Sequence, residues 1–251
     1  MKILASDFDN TLYFYDGQRD YYHQADIQAI KKFQQAGNLF GLCTGRNYKG
    51  VTNYNYHHIR YDFFILCSGA KILDQNGEVI FQKFIPAKLV KEIIKDYSNV
   101  DTSVVDKGEM YFLNHHDPVN KNHRLITSLD EVSDNLEAFS LHLDNEEMAY
   151  QESLKIKEKY GDVIAVYQNE RHLDFAPLGC SKGAGILKII EYFKVDNQDM
   201  AVIGDSYNDL PMFAVVDQAF TFNRSPEKVK QAAKYLVDGI DECIEKLLEQ
   251  E

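Results

Sequence analysis

The first thirteen residues, MKILASDFDNTLY, combine an apolar run with two carboxylates, and they constrain the fold more than any other stretch. The run from Ile3 to Ala5 predicts a short buried strand at the centre of a parallel sheet. Asp7 and Asp9 follow two residues apart, a spacing that places both side chains on one side of an extended backbone. Two acids on one side repel each other, so the pattern indicates a bridging cation such as Mg²⁺ or a chemistry that uses two protonation states. A solvated turn after a strand is the alternative use of these residue types.

Strand and helix patterns alternate along most of the chain. This alternation predicts an α/β fold with a doubly wound, Rossmann-like parallel sheet, whose ligands bind beyond the carboxyl ends of the strands. From Phe84 to Ala176 the pattern changes to hairpins and two helices, which predicts an α+β insert with an antiparallel sheet. We therefore predict a discontinuous core, residues 1–83 and 177–251, and a cap domain at 84–176.

Composition narrows the possible partners and locations. The chain has 251 residues and a formal net charge of −12, which argues against nucleic acid or an anionic membrane as a partner. It contains neither an apolar stretch of about 18 residues nor a signal-peptide pattern, so we expect a soluble, cytoplasmic protein. The four cysteines are far apart and form no CxxC, so we expect reduced thiols and no metal site built from cysteine.

Three further motifs follow predicted strands or open predicted helices. Thr44-Gly45-Arg46 offers a hydroxyl and backbone amides for a phosphate, although the same residues could simply cap a helix. Lys182 opens a helix, where a cation opposes the helix dipole; unless it is an ordinary surface lysine, it indicates a bound anion. Gly204-Asp205-Ser206-Tyr207-Asn208-Asp209 follows an apolar strand and adds two acids and an amide at the same sheet edge.

In order along the chain, these motifs resemble the four motifs of the haloacid dehalogenase superfamily of phosphohydrolases, in its Cof-type branch with a large inserted cap. The sequence departs from the family pattern at two positions. Asn10 stands where the family usually has Gly, and both residues accept a left-handed backbone. Ser68, in Cys67-Ser68-Gly69-Ala70, stands where Cof-type proteins commonly have Asn, which leaves the contribution of this position open.

The resemblance implies a role for each motif residue. Asp7 would be the nucleophile, already ionised at neutral pH, and Asp9 the general acid and base. Mg²⁺ would be held by Asp7, the backbone carbonyl of Asp9 and Asp205, with Asp209 binding directly or in the outer shell. The expected phosphate ligands are Phe8 through its backbone amide, Thr44, Gly45, Lys182 and Asn208.

The expected function is a Mg²⁺-dependent phosphatase that hydrolyses small phosphorylated metabolites, with sugar phosphates as the leading substrates, through an aspartyl-phosphate. A phosphomutase would use the same residues but return the phosphoryl group to the substrate. A non-catalytic phospho-ligand-binding or receiver-like module is the alternative from another class, although receivers need neither a second acid at Asp9 nor a cap of this size.

Substrate choice is expected to reside in the insert, because the core motifs address only phosphate and metal. The segment from Asn114 to Arg124 is dense in polar side chains and lacks the spacing of a core element. It could equally be an exposed loop. The candidate specificity residues are His115, His116, Lys121, His123 and Arg124.

Overall fold

The computed structural model describes residues 1–114 and 124–249. The strands within those ranges are β1 (Ile3–Ser6), β2 (Phe14–Tyr15), β3 (Asp20–Tyr21), β4 (Leu39–Cys43), β5 (Phe63–Leu66), β6 (Lys71–Asp74), β7 (Val79–Gln82), β8 (Ile85–Pro86), β9 (Asp101–Asp106), β10 (Glu109–Leu113), β11 (Arg124–Leu125), β12 (Asn135–Leu136), β13 (Ala138–His142), β14 (Ile164–Asn169), β15 (His172–Pro177), β16 (Met200–Ile203), β17 (Gln218–Phe222) and β18 (Tyr235–Val237).

The helices within the same ranges are α1 (Gln24–Gln35), α2 (Tyr48–Thr52), α3 (Ala87–Ile93), α4 (Glu146–Tyr160), α5 (Lys182–Phe193), α6 (Leu210–Phe213), α7 (Glu227–Ala232) and α8 (Ile240–Leu248). Among these helices of the described chain, none combines the length and the apolar character that a membrane crossing requires.

Eight strands form the larger sheet, in the order β18-β17-β16-β1-β4-β5-β6-β7. The strands from β18 to β5 run parallel, and β6 and β7 return as an antiparallel pair. The chain adds β4 and β5 on one side of β1 and later adds β16 to β18 on the other side. The strand order therefore reverses at β1, and the crevice beyond the carboxyl ends of β1, β4 and β16 is the expected place for a ligand.

Helices cover both faces of this sheet because β1 is apolar on both sides. Leu4 packs on one face, in a cluster with Ile27 of α1 and Ile244 of α8. Ile3 points to the other face and packs in a cluster with Ile186 of α5. The alternation of neighbouring side chains across the sheet thus produces the doubly wound arrangement.

The second sheet has six strands in the order β11-β10-β9-β13-β15-β14, and all pairs except β10 with β11 are antiparallel. One face carries Phe139 and Phe175, which pack in a cluster with Val90 of α3 and Ile156 of α4. Residues of the opposite face line a cavity together with the strand ends of the larger sheet. The second sheet therefore covers the crevice.

The structure confirms the predicted fold class, a parallel α/β sheet with an α+β insert. The residue pattern predicts helices over Glu146–Tyr160 and Ile240–Leu248 and a strand over Gln218–Phe222, and these are the observed bounds of α4, α8 and β17. Strand β18 was missed, because only the last of its three residues is buried and so no alternating pattern marks it. The domain boundaries at 83/84 and 176/177 stay a prediction.

Candidate active site

Three neighbouring strand ends bring the sequence motifs together. Asp7 directly follows β1, and its N–H still donates to the carbonyl of Ile203 in β16 over 2.9 Å. Thr44 directly follows β4, and its N–H donates to Ile65 of β5 over 2.9 Å. Asp205 follows β16 after one glycine. The first, second and fourth motifs therefore meet at one sheet edge because their strands are parallel neighbours.

Lys182, the first residue of α5, reaches this edge from the face of the sheet and is almost completely buried. Its Nζ donates to Asp7 Oδ1 over 2.7 Å and to Asp209 Oδ1 over 2.6 Å, and it lies 3.4 Å from Asn208 Oδ1. Burial opposes the charge on Lys182, but the carboxylates of Asp209 and Asp7 outweigh it and raise the pKa of the lysine. Lys182 is therefore not an ordinary surface lysine, because it is buried and paired with two aspartates.

Asp7, Asp205 and Asp209 form an acidic cluster in which one carboxylate oxygen of each lies within 4.8 Å of the others. Burial raises the pKa of Asp7 well above its usual value, with further increases from the neighbouring acids, and Lys182 opposes the shift. Burial, followed by the charge of Asp209, raises the pKa of Asp205 to about 7. A divalent cation fits such a cluster, because it would offset the repulsion with oxygen ligands of the kind Mg²⁺ prefers.

Both oxygens of Asp209 are already engaged within the protein. Oδ1 accepts from Lys182, and Oδ2 accepts from the backbone N–H groups of Asp205 and Ser206 at 2.9 and 3.0 Å. This close approach requires glycine at position 204, because a Cβ there would lie 2.3 Å from Asp209 Cγ. Asp209 therefore ties the fourth motif to the lysine of the third.

Asp9 points to a different partner, the guanidinium of Arg46. Arg46 donates from Nε and Nη2 to the two Asp9 oxygens over 2.9 and 2.6 Å. The guanidinium carbon also lies 5.0, 5.1 and 5.0 Å from the ring centres of Phe8, Tyr13 and Tyr54. The sequence does not predict this pair, since 37 residues separate its members and nothing in either motif points to the other.

The two departures from the family pattern both have left-handed backbones. Asn10 has φ of 56°, the left-handed backbone that asparagine was expected to accept at this position. Ser68 has φ of 52°, and its N–H donates to the carbonyl of Thr44 over 3.1 Å. Ser68 therefore supports the loop that carries Thr44 and Gly45.

A cavity of about 400 Å³ joins the strand ends to the inner face of the second sheet. The core contributes Asp7, Asp9, Thr44, Gly45 and Asn208, among others. The residues that the insert contributes were not predicted from the sequence, because most of them alternate along strands as in any half-buried sheet. These are Ser103, Met110, Phe112, Ser140, His142, Asn169, Glu170, His172 and Asp174.

Only the two ends of the segment expected to set specificity, Asn114 and Arg124, are among the described residues. His115, His116, Lys121 and His123 lie outside the described residues. Arg124 is described, and its guanidinium lies 3.5 Å from the Tyr111 hydroxyl and 3.9 Å from Glu109. It is not among the residues that line the 400 Å³ cavity.

The model of the family described as haloacid dehalogenase-like hydrolase matches residues 4–243 of the chain. The chain belongs to this family. The match extends over both sheets, and it confirms the predicted superfamily and the expectation of an enzyme of the phosphatase type.

Similar proteins match the chain along most of its length. It is 23% identical to the 5-amino-6-(5-phospho-D-ribitylamino)uracil phosphatase YbjI of Escherichia coli (strain K12), over 100% of this chain and 97% of that protein. It is 20% identical to the HMP-PP phosphatase of Yersinia pseudotuberculosis serotype I (strain IP32953), over 92% of this chain and 86% of that protein. The solved structure of the HAD subclass IIB sugar phosphatase BT4131 is similar in fold, with a TM-score of 0.82, 20% identity, and coverage of 100% of this chain and 98% of that one.

Proposed function

We propose that the protein is a Mg²⁺-dependent phosphatase that hydrolyses small phosphorylated metabolites through an aspartyl-phosphate on Asp7. The observation that carries the proposal is the buried contact of Lys182 with Asp7 and Asp209, beside an acidic cluster and at the end of a cavity. A phosphate dianion approaches a carboxylate only where positive charge offsets the repulsion. Lys182 is positioned to supply part of that charge.

Asp7 would act as the nucleophile. Lys182 favours the ionised form of Asp7 that attack requires, against the effect of burial on its pKa. In the first step an Asp7 oxygen bonds to phosphorus, the ester P–O bond breaks, and Asp9 gives its proton to the departing oxygen. In the second step Asp9 takes a proton from water, whose oxygen attacks phosphorus and releases inorganic phosphate and the Asp7 carboxylate.

Asp7, Asp205 and the backbone carbonyl of Asp9 would hold Mg²⁺. When bound, the ion supplies further positive charge to the phosphate oxygens and offsets the repulsion in the acidic cluster. We assign Asp209 to the outer shell, because Lys182 and two backbone N–H groups already engage both of its oxygens. Its task would be to hold Lys182 and the loop after β16 in place.

The remaining phosphate oxygens would be bound by the Phe8 amide, Thr44, Gly45, Lys182 and Asn208. Thr44, Gly45 and Asn208 line the same cavity as Asp7 and Asp9, which supports the assignment. Arg46 would orient Asp9, since two of its nitrogens hold both oxygens of that carboxylate. Asp9 would then leave this contact in order to carry a proton.

The names of the relatives support small phosphorylated metabolites as the substrate class. Two matched relatives are phosphatases of phosphorylated small molecules, and the structural neighbour is a sugar phosphatase. We take sugar phosphates as the leading substrates, because a cavity of about 400 Å³ suits a small ligand.

Release of inorganic phosphate from p-nitrophenyl phosphate and from a panel of sugar phosphates, with Mg²⁺ and with EDTA, tests the proposal. Asp7→Asn should abolish turnover, because an amide cannot form the acyl phosphate. Asp9→Asn should accumulate phosphorylated protein with the activated aryl ester, visible as added mass after acid quenching. Retention of more than a few per cent of activity in Asp7→Asn would refute the mechanism.

The same experiment separates the alternatives. A phosphomutase would consume sugar phosphate without matching release of inorganic phosphate. A receiver-like module would take up at most one phosphoryl group per chain and would not turn over.

A further inference from the structure

The inner face of the second sheet carries a row of polar side chains above the strand-end acids. Ser103 lies on β9, Ser140 and His142 on β13, and His172 and Asp174 on β15. The register pairs Ser140 with both Ser103 and Asp174, and His142 with His172. We call these five residues the cap wall. All of them line the cavity that contains Asp7 and Asp9.

The cap wall lies close to the loop that is proposed to bind phosphate. A Cβ placed on Gly45 would be 3.3 Å from Asp174 Oδ2, so glycine at this position leaves room for that carboxyl group. A phosphate on Thr44 and Gly45 would therefore have the cap wall as its neighbour. A leaving group attached to that phosphate would then extend into the part of the cavity that the cap wall lines.

The side chains of the cap wall form two hydrogen-bonded sets. Ser103 Oγ lies 2.9 Å from His142 Nε2, and His142 Nδ1 lies 2.9 Å from His172 Nδ1. Ser140 Oγ donates to Asp174 Oδ1 over 2.7 Å. Hydroxyl and imidazole groups both donate and accept, so these sets can exchange hydrogen bonds with the hydroxyl groups of a ligand.

The charge of the wall makes it a poor site for a second anion. An Nδ1-to-Nδ1 hydrogen bond needs a lone pair on one of the two rings. His142 and His172 therefore cannot both be positively charged in this arrangement. Glu170 and Asp174 both line the cavity, and each carboxyl group repels an anion when it is ionised. Among the cavity residues that the described part of the insert contributes, there is no lysine or arginine.

We propose that the cap wall binds an uncharged, hydroxyl-bearing leaving group and disfavours substrates that carry a second phosphate or a carboxylate. The inference rests on the proposed phosphatase function and narrows its substrate class. Met110 and Phe112 line the same cavity and give the carbon skeleton of such a ligand an apolar surface. Polyol and sugar monophosphates have this combination of hydroxyl groups, carbon skeleton and single phosphate.

Two matched pairs of esters test the charge preference without any mutation. Fructose monophosphate is compared with fructose bisphosphate, and glycerol phosphate with phosphoglycerate, using the full-length protein with Mg²⁺ and with p-nitrophenyl phosphate as the reference. We expect kcat/KM to be at least about tenfold higher for the member of each pair whose leaving group is uncharged, the loss expected when a site rejects an ill-fitting group.

A charge-reversal variant tests the same preference. Glu170→Lys should reduce the ratio of kcat/KM between the two members of each pair at least about threefold, because it reverses one charge at the cavity.

Two variants and one control test which residues bind the leaving group. Ser103→Ala and His142→Gln should lower kcat/KM for the preferred sugar phosphate about tenfold more than for p-nitrophenyl phosphate, because the aryl group lacks hydroxyls to bind. Gln151→Ala is the matched control; this exposed residue lies on α4, on the opposite face of the sheet, and its side chain bonds to Glu147. It should not change the ratio.

The outcomes distinguish this inference from the proposed function. Absence of p-nitrophenyl phosphate hydrolysis would overturn the proposed function and the inference with it. Two results would overturn the inference alone if the aryl ester is hydrolysed. One is turnover of the esters with an anionic leaving group that equals or exceeds that of their partners. The other is failure to hydrolyse any of the four natural esters. An unchanged substrate ratio in both Ser103→Ala and His142→Gln would also overturn it.

Discussion

Lys182→Met removes the ammonium group that joins Asp7 to Asp209 while keeping most of the side-chain volume. Both contacts are short and buried, and truncating one member of a buried ion pair costs about 3–5 kcal/mol because the other charge loses its partner. Asp209 would keep two backbone N–H donors, and Asp7, whose pKa burial already raises, can take up a proton. We therefore expect the lower end of this range, about 3 kcal/mol, in the free energy of unfolding.

Urea denaturation in EDTA and in Mg²⁺ measures this change. Mg²⁺ should restore part of the lost stability, because a divalent ion would again offset the acidic cluster. Activity on p-nitrophenyl phosphate should fall about 10²–10³-fold, the usual effect of losing one group that stabilises transition-state charge. Raising Mg²⁺ should not restore that activity, because the ion and the lysine would face different phosphate oxygens.

Lys188→Met is the matched control on the same helix, since its ammonium lies over the ring of Phe81 at 4.1 Å, away from the acids. It should leave both activity and the effect of Mg²⁺ on stability close to the parent. A free energy of unfolding for Lys182→Met in EDTA within about 1 kcal/mol of the parent would refute the expected loss, because it is well below the cost of an unpaired buried charge. Full rescue of activity by Mg²⁺ would refute it as well.

Three further predictions address the fold and the specificity of the enzyme. Burial raises the pKa of Asp26 from 3.8 to about 6, so its contribution to stability is fully present below the unfolded pKa of 3.8 and is lost as the pH rises through about 6. Between these two pH values the free energy of unfolding should fall by up to about 3 kcal/mol because of Asp26, and Asp26→Asn should abolish this fall in urea denaturation. An unchanged dependence of the free energy of unfolding on pH would contradict this. Gly204→Ala places a Cβ 2.3 Å from Asp209 Cγ and should cost about 1–3 kcal/mol of stability as well as most of the phosphatase activity; parent-like values of both would contradict the packing argument. The hypothesis that the segment from Asn114 to Arg124 sets specificity predicts that alanine substitutions there change relative kcat/KM among natural phosphate esters about tenfold, with little change for an aryl phosphate. The five variants are those at His115, His116, Lys121, His123 and Arg124. An unchanged substrate ranking in all five would place specificity elsewhere.

The sequence by itself determined the fold class and the edge at which the motifs meet. Apolar runs such as Ile3 to Ala5 identify buried strands, and their alternation with helices requires a parallel sheet. In a parallel sheet the residues after each strand share one edge, so Asp7, Thr44 and Asp205 could be brought together from their sequence positions alone. The turn at Asn10 followed from the local tolerance of asparagine for a left-handed backbone.

Only the tertiary structure decided which side chains meet across that edge. Arg46 and Asp9 are 37 residues apart, and the cap-wall pair Ser103 and His142 are 39 apart, so no local pattern records either contact. Alternation in the insert indicates that one face of each strand is less buried, but it does not say what that face meets. Pairing register between distant strands and the packing of one sheet over the other set those contacts, because they depend on how the whole chain buries its apolar surface.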